Sequence, residues 1–200
     1  MPETITEETK QRILDTAAAL LNESPVRTLR IQEIAMRADV APSTIYKAYN
    51  NKYELFVYAA ESLFTNQIER IRESIDESKS PIEILRHSLT EFFTLARDYP
   101  HAASYLFAAV PFAYSEEIAS EQAIESIAAL GSDVRQRLLR RITDAVDAGQ
   151  LGGDPEALTD HCVISAFGYV GIAATGRLTI EPAKSADTTL ACLAVIGAET

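Results

Sequence analysis

Apolar positions recur at helical spacing from one end of the chain to the other. Ile13, Leu14, Ala17, Ala18, Leu20 and Leu21 form one stripe, Ile31, Ile34, Ala35 and Ala38 a second, and Ile45 and Tyr49 a third. Thr4 and Glu7 stand at capping-box spacing with acid in the first turn. The pattern therefore predicts a first helix from near Thr4 or Thr6 that ends at Asn22 to Pro25. A second helix is expected over Ile31 to Ala38, followed by a turn at Asp39 and Val40 with Val40 packed beneath it. Pro42 suits the first position of a third helix, where its missing N–H is no loss. Asn50 and Asn51 break that helix, and Lys52 opens a long fourth one reaching about Ser78. Beyond Ser80 and Pro81 the stripe Leu85, Ser88, Leu89, Phe92 and Ala96 marks a fifth helix, and Ala102 to Val110 a sixth. Pro111 to Ser120 reads as a loop or broken helix. Glu121 to Ala148 reads as a seventh helix loosened at Gly131. After the break at Gly149, Gly152, Gly153 and Pro155, an eighth helix runs to about Arg177 and a last one covers Ser185 to Ala198. Period-2 alternation is nowhere sustained, so the expected fold is all-α, with about nine helices and no sheet.

The stretch Ile31 to Leu55 departs from a plain core pattern. Its second short helix carries small, polar and cationic side chains where a core helix would carry Leu and Val. A helix braced from behind and polar in front is what the DNA major groove accepts. Pro42, Ser43, Thr44, Tyr46 and Lys47 are its expected exposed positions. The formal net charge of -11 argues against DNA until its distribution is read. Between Arg27 and Lys52 the cations Arg27, Arg30, Arg37, Lys47 and Lys52 outweigh Glu33 and Asp39, so the acid lies elsewhere, mostly after Lys52. The division suggests a small DNA-facing head, residues 1–52, on an acidic body, residues 53–200. The body's acid either repels nonspecific phosphate contacts or serves solubility alone.

Composition narrows the alternatives. With 47% hydrophobic residues and Pro and Gly at 8 each, the chain has enough apolar material for one or two ordinary domains. It has no run of about 18 apolar residues, so no membrane span is expected. The start MPETITEETKQ lacks the apolar segment of a secretory signal, and Cys162 and Cys192 are too few for a disulfide framework, which points to the cytoplasm. Both cysteines lie in apolar helices and read as small buried hydrophobes. His87, His101 and His161 do not share metal-ligand spacing, and His87 falls on a polar face. No HExxH, CxxC, GxSxG, P-loop or GxGxxG occurs, so neither an enzyme, a metal nor a cofactor is expected. Arg135, Arg137, Arg140 and Arg141 are read as partners of the acidic body rather than as a second nucleic-acid patch.

Ile34, Ala35, Ala38, Val40, Thr44, Ile45, Tyr46, Lys52 and Leu55 keep the spacing of the pattern Ile-Ala-x-x-Ala-Gly-Val-Ser-x-x-Thr-Leu-Tyr-x-His-Phe-x-x-Lys-x-x-Leu. In this the chain resembles the TetR family of transcriptional regulators. Arg12-Ile13-Leu14 with Ala17, Ala18 and Leu20 looks like that family's first helix, and the resemblance covers about the first quarter of the chain. Later it extends only to helix order and to the Ala-Gly-Gln-Leu-Gly-Gly turn at Ala148 to Gly153. Asp39 replaces the usual turn glycine, Ala41 the common helix-capping Ser, Ala48 a common His, and Tyr49 a Phe; Arg30 stands where a Ser or Thr cap is usual. The resemblance implies a repressor released from a palindromic operator on double-stranded DNA by a small, mostly apolar effector. It also implies that Tyr46 and Lys52 touch phosphate. The expected DNA-facing set is Arg30, Gln32, Pro42, Ser43, Thr44, Tyr46, Lys47, Tyr49 and Lys52. The competing reading is a helical ligand-binding or enzymatic protein that has lost its DNA role.

In the body, Cys162 to Ala174 is apolar on nearly every side, with Ser165 the main exception. Such a helix must be covered on every side. One face belongs to the core and the other to a partner, whose approach Gly168 and Gly171 would ease. Leu190, Leu193, Val195 and Ile196 would complete a four-helix interface, so a homodimer is expected. The body's aromatic residues either fill a core or line an effector cavity. The candidate lining set is Phe92, Phe93, Tyr105, Phe107, Phe112 and Phe167, with His161 as a polar anchor and the segment after Pro111 as a gate.

Overall fold

The computed structural model describes residues 5–112 and 120–198, with only the backbone described over 107–112. Among these residues every regular element is helical. The order is α1 (Glu7–Glu23), a 3-10 turn (Val26–Thr28), α2 (Ile31–Arg37), α3 (Pro42–Ala48), α4 (Lys52–Glu73), α5 (Pro81–Asp98), α6 (Pro100–Phe112), α7 (Glu121–Asp147), α8 (Pro155–Ala173) and α9 (Pro182–Ala198). The all-α expectation holds.

The helix ends follow local chemistry. Thr6 caps α1 by accepting from the Thr9 N–H. Ser80 and Glu83 form a reciprocal capping box at α5, and Asp154 accepts from Ala157 N–H at α8. Several boundaries differ from the sequence pattern. α4 stops at Glu73, short of Ser78, because the Ser74 hydroxyl donates to the Ile71 carbonyl and Asp76 then draws Ser78 into a turn. α8 stops at Ala173 rather than Arg177, where Gly176 turns the chain at φ 67°. α6 begins at Pro100 and continues through Pro111 to Phe112, while residues 113–119, which hold most of the expected gate, lie outside the described residues. α7 passes Gly131 without a break, and the 3-10 turn has no counterpart in the hydrophobic pattern.

The chain divides into two compact units. The first holds the chain up to Thr65 together with His101–Ala129, and the second holds Asn66–Pro100 and everything from Leu130 onward. In the first unit, Ile13, Ala17, Leu20 and Leu21 of α1 bury with Ile34, Ala35, Ala38, Ile45, Leu55 and Phe56. These are the three stripes of the sequence pattern, joined by the start of α4.

In the second unit α5 packs on α8 and α9. Its core takes Leu85, Leu89, Phe93 and Ala96 from α5, Leu158, Cys162, Tyr169 and Val170 from α8, and Ala186 and Leu193 from α9. The glycine turn before α8 docks against the end of α9 backbone to backbone. A Cβ on Gly152 would lie 2.7 Å from the Gly197 carbonyl oxygen, and one on Gly197 would run into the Gly152 carbonyl. Both positions therefore exclude a side chain. The arginine cluster of α7 meets the body's acid as expected. Arg135 pairs with Glu156 and Asp160, Arg137 with Asp133 and Glu69, and Arg141 with Glu77. These pairs are partly exposed and contribute little stability each, and they engage three of the four arginines, Arg140 making no ion pair among the described residues.

Candidate nucleic-acid interface

The turn between α2 and α3 is built from Asp39. Its φ of 51° is left-handed, a region Asp tolerates better than most residues. The Val40 N–H returns to the Ala35 carbonyl at 3.0 Å and the Asp39 N–H to the Met36 carbonyl at 3.4 Å. Those two bonds make the Schellman arrangement that ends a helix and redirects the chain. The Arg12 Nε of α1 donates to the Ala38 carbonyl at 2.9 Å, holding the same turn from behind. Pattern reading placed Arg12 only within the first helix and missed this task.

α3 has two faces. Ile45 is 1% exposed and Tyr49, just past its end, 8%. Pro42, Ser43, Lys47 and Tyr46, the last at 55%, are exposed, and Thr44 is half-buried. Positions 42, 43, 46 and 47 share the outer face because residues three and four apart neighbour one another on a helix. Arg30 and Gln32 are exposed at the start of α2. Arg30 makes no side-chain cap to α2, and Ala41 makes none to α3.

Two residues of the expected DNA-facing set are placed otherwise. Tyr49 faces inward, its ring 6.1 Å from that of Tyr58, and burial pushes its hydroxyl up to about 12. It supports α3 from behind, as its four-residue spacing from Ile45 requires. Lys52 is half-buried, and its ammonium donates to the carbonyls of Val26 and Leu29, both at 3.2 Å. Two of its three donors therefore hold the 3-10 turn that leads into α2. Arg37 is also engaged, by Glu23 and Glu33, so it adds little to the positive head. Among the described residues Arg27, Arg30 and Lys47 make no ion pair.

Glu54 was not singled out by sequence and is 5% exposed. Its carboxylate accepts from the Asn50 N–H at 2.6 Å, from Asn50 Nδ2 at 3.2 Å and from the Ser120 hydroxyl. The Glu54 N–H in turn donates to Asn51 Oδ1 at 2.9 Å. This is a capping arrangement at the start of α4, and it ties the chain leaving α3 to the start of α7 inside the first unit. The spacing of Asn51 and Glu54 was the available signal. The Tyr105 hydroxyl adds a second tie by donating to the Tyr53 carbonyl at 2.9 Å.

The expected effector residues divide between the two units. Phe93 is buried against Tyr169, ring centres 4.6 Å apart, and half-buried Phe92 meets Phe93 edge-on at 6.0 Å. Those three lie in the second unit, whereas Tyr105 lies in the first. The side chains of Phe107 and Phe112 are outside the described residues. His161 and Phe167 lie on the outer side of α8, Phe167 at 41% exposure, so neither faces the body's interior as expected. They share that side with Ile164 at 66% and Ile172 at 51%, and α9 exposes Val195 at 62%. Gly168 and Gly171 have open space where a Cβ would be. Cys162 is buried, its thiol pushed up to about 12 by desolvation; Cys192 is exposed, contrary to the reading of both as buried. His87 is half-buried rather than solvated, with the Ser74 hydroxyl 2.8 Å from its Nε2. No group of metal-ligating side chains gathers among the described residues, and no helix there is long and apolar enough to cross a membrane.

This head is a helix-turn-helix domain. Residues 13–59 match the family model described as bacterial regulatory proteins, tetR family. A stretch of 84 residues is 29% identical to the fatty acid metabolism regulator protein of Bacillus subtilis (strain 168); it covers 42% of this chain and 43% of that relative's length. The chain thus spans less than half of that curated relative. Among solved structures, the transcriptional regulator FadR of Bacillus subtilis in complex with stearoyl-CoA superposes with a TM-score of 0.70 at 18% identity, over 92% of this chain and 97% of that one. The fatty acid degradation regulator FadR of Bacillus halodurans gives 0.73 at 14% identity, over 96% and 97%. A TetR-like transcriptional regulator from Rhodococcus sp. RHA1 gives 0.68 at 18%, over 98% and 99%. The fold of the whole chain is that of these regulators.

Proposed function

We propose that the chain is a homodimeric transcriptional repressor. Residues 1–52 bind a palindromic operator on double-stranded DNA, and residues 53–200 dimerise and bind a small, mostly apolar effector that releases the DNA. The observation that carries the reading is the two-faced α3, with Ile45 and Tyr49 holding it from behind and Pro42, Ser43, Tyr46 and Lys47 in front. Ser43, Thr44 and Lys47 read base edges, while Tyr46, Arg30 and Gln32 contact the backbone and fix register. Lys52 serves the interface through the α1–α2 connection and has one ammonium donor left for phosphate. Tyr49 contributes by bracing α3.

Dimerisation is supported by the exposed apolar face of α8 and α9 and by the open glycines on it. Two recognition helices about 34–36 Å apart then reach successive major grooves. An effector acts only through different affinities for the DNA-bound and free states. The stearoyl-CoA bound to the Bacillus subtilis structure supports an apolar ligand for this body as well. Such a regulator works in the cytoplasm with its DNA. The test is selection of genomic fragments by the purified protein, followed by fluorescence anisotropy on the selected operator. Lys47→Ala and Tyr46→Ala are expected to weaken binding at least tenfold, and unchanged affinity in both rejects the assignment of α3.

A further inference from the structure

Tyr169 of α8 is 7% exposed, and its hydroxyl is a buried polar atom without a hydrogen-bond partner among the described residues. An unpaired buried donor is costly, so an acceptor arriving from outside the chain would gain by pairing with it. Burial is the main influence on this phenol and raises its pKa, so the hydroxyl is a neutral group able to donate a hydrogen bond. The charges that act on it are Arg97, Glu181 and Asp98, all in the same unit. Arg97 sits one helical turn beyond Phe93, whose ring packs at a tilt against Tyr169. Its guanidinium holds Asp98 through Nε at 2.9 Å and reaches Glu181 through Nη1 at a long 3.4 Å. Glu181 is 79% exposed, and so exposed an ion pair contributes little and opens easily.

A neutral hydroxyl donor together with a guanidinium one helical turn from its ring partner Phe93, whose second contact is weak, is a donor set for a carboxylate. Half-buried Phe92, edge-on to the buried ring of Phe93, provides apolar surface in the same unit. We infer that Tyr169 and Arg97 form the polar end of a subsite for a monocarboxylate with an apolar tail, and that Glu181 occupies the guanidinium while the subsite is empty. The inference rests on the effector-binding reading of the body and narrows the effector's chemical class.

The probe is octanoate, titrated calorimetrically into the full-length protein, with octanol as the uncharged control. Octanoate is expected to bind about tenfold more tightly than octanol, since charged partners at a buried donor discriminate by at least that much. Tyr169→Phe and Arg97→Gln should each remove most of this preference. Glu181→Gln should tighten octanoate binding severalfold by removing the competing carboxylate, an effect that a merely structural Glu181 would not produce. Tyr169→Phe should melt at or above the wild-type temperature, because it loses an unpaired hydroxyl and no contact. Equal binding of octanoate and octanol overturns the inference. So does a Tyr169→Phe variant that binds octanoate as the wild type does, whether or not its dimerisation changes. Operator affinity measured without octanoate keeps the two readings apart: its absence defeats the repressor assignment, while the titrations decide the subsite by themselves.

Discussion

Lys52 separates two explanations of a cation at the start of α4. A phosphate contact adds to DNA affinity and leaves the free protein alone. The clamp seen here, from its ammonium to the carbonyls of Val26 and Leu29, stabilises the free protein and helps DNA binding indirectly. Lys52→Met keeps most of the stem's packing and removes the donors. Hydrogen bonds from charged groups contribute ~1.5–3 kcal/mol each at best, and these are 3.2 Å long with a half-buried donor, so about 1 kcal/mol apiece is the fitting scale. The expected loss is about 2 kcal/mol for the pair. In a chain of this size that corresponds to a fall of roughly 4–8 °C in melting temperature.

The assay is thermal unfolding by circular dichroism at one fixed protomer concentration, because dimerisation makes the midpoint concentration-dependent. It is paired with operator affinity across a salt series. A clamp predicts a lower midpoint and a salt slope close to wild type. A phosphate contact predicts an unchanged midpoint and a slope shallower by about 0.9, the value for one released counterion. An unchanged midpoint would refute the clamp whatever the slope.

Gly171→Arg adds a side chain to a position with open space around it, so the protomer should fold while the dimer fails; light scattering should report a monomer and anisotropy a loss of operator binding, and an intact dimer would remove α8 from the interface. Thiol labelling at pH 8 should spare buried Cys162 until the protein unfolds, and should reach Cys192 faster in Gly171→Arg than in the dimer; equal rates at Cys192 would place it outside the interface. Cys162 and Tyr49 are both held up to about 12 by burial, above the ordinary values of about 8.5 and about 10 that the unfolded chain recovers. The unfolded chain therefore loses these protons first, so their stabilisation is complete below about pH 8.5 and falls away as pH rises toward about 12. Tyr49→Phe should flatten the upper part of that decline, and an unchanged urea midpoint profile between pH 10 and pH 12 would show Tyr49 to be accessible in the native state. Glu54→Ala leaves the Asn50 N–H and the Ser120 hydroxyl without their acceptor and should cost about 1–3 kcal/mol, read as a lower urea midpoint; a neutral result would mean water reaches both donors.

What the sequence made legible is what side-chain periodicity encodes. The buried set Ile13, Ala17, Leu20, Leu21, Ile34, Ala35, Ala38 and Ile45 follows from spacing alone, and so does the outer face of α3. The outer side of α8 was readable for the same reason: a helix apolar all round must expose what its own core cannot cover. The misplaced residues failed for a shared physical reason. Phe167 and His161 were counted toward the body's interior by residue type, but their positions put them on the outer side with Ile164, and Cys192 likewise shares an exposed side with Val195. Position on the helix, not chemistry, decided each case. Arg12 and Lys52 were opaque for a different reason. Their acceptors are the carbonyls of Ala38, Val26 and Leu29, and a backbone carbonyl carries no residue signature. Pattern matching can find a cation at a fixed position but cannot say whether it points at phosphate or at the chain's own backbone. The two roles need the same residue at the same place, so that distinction belongs to geometry, and in the head it shows Arg12 holding the turn before α3 and Lys52 holding the connection into α2.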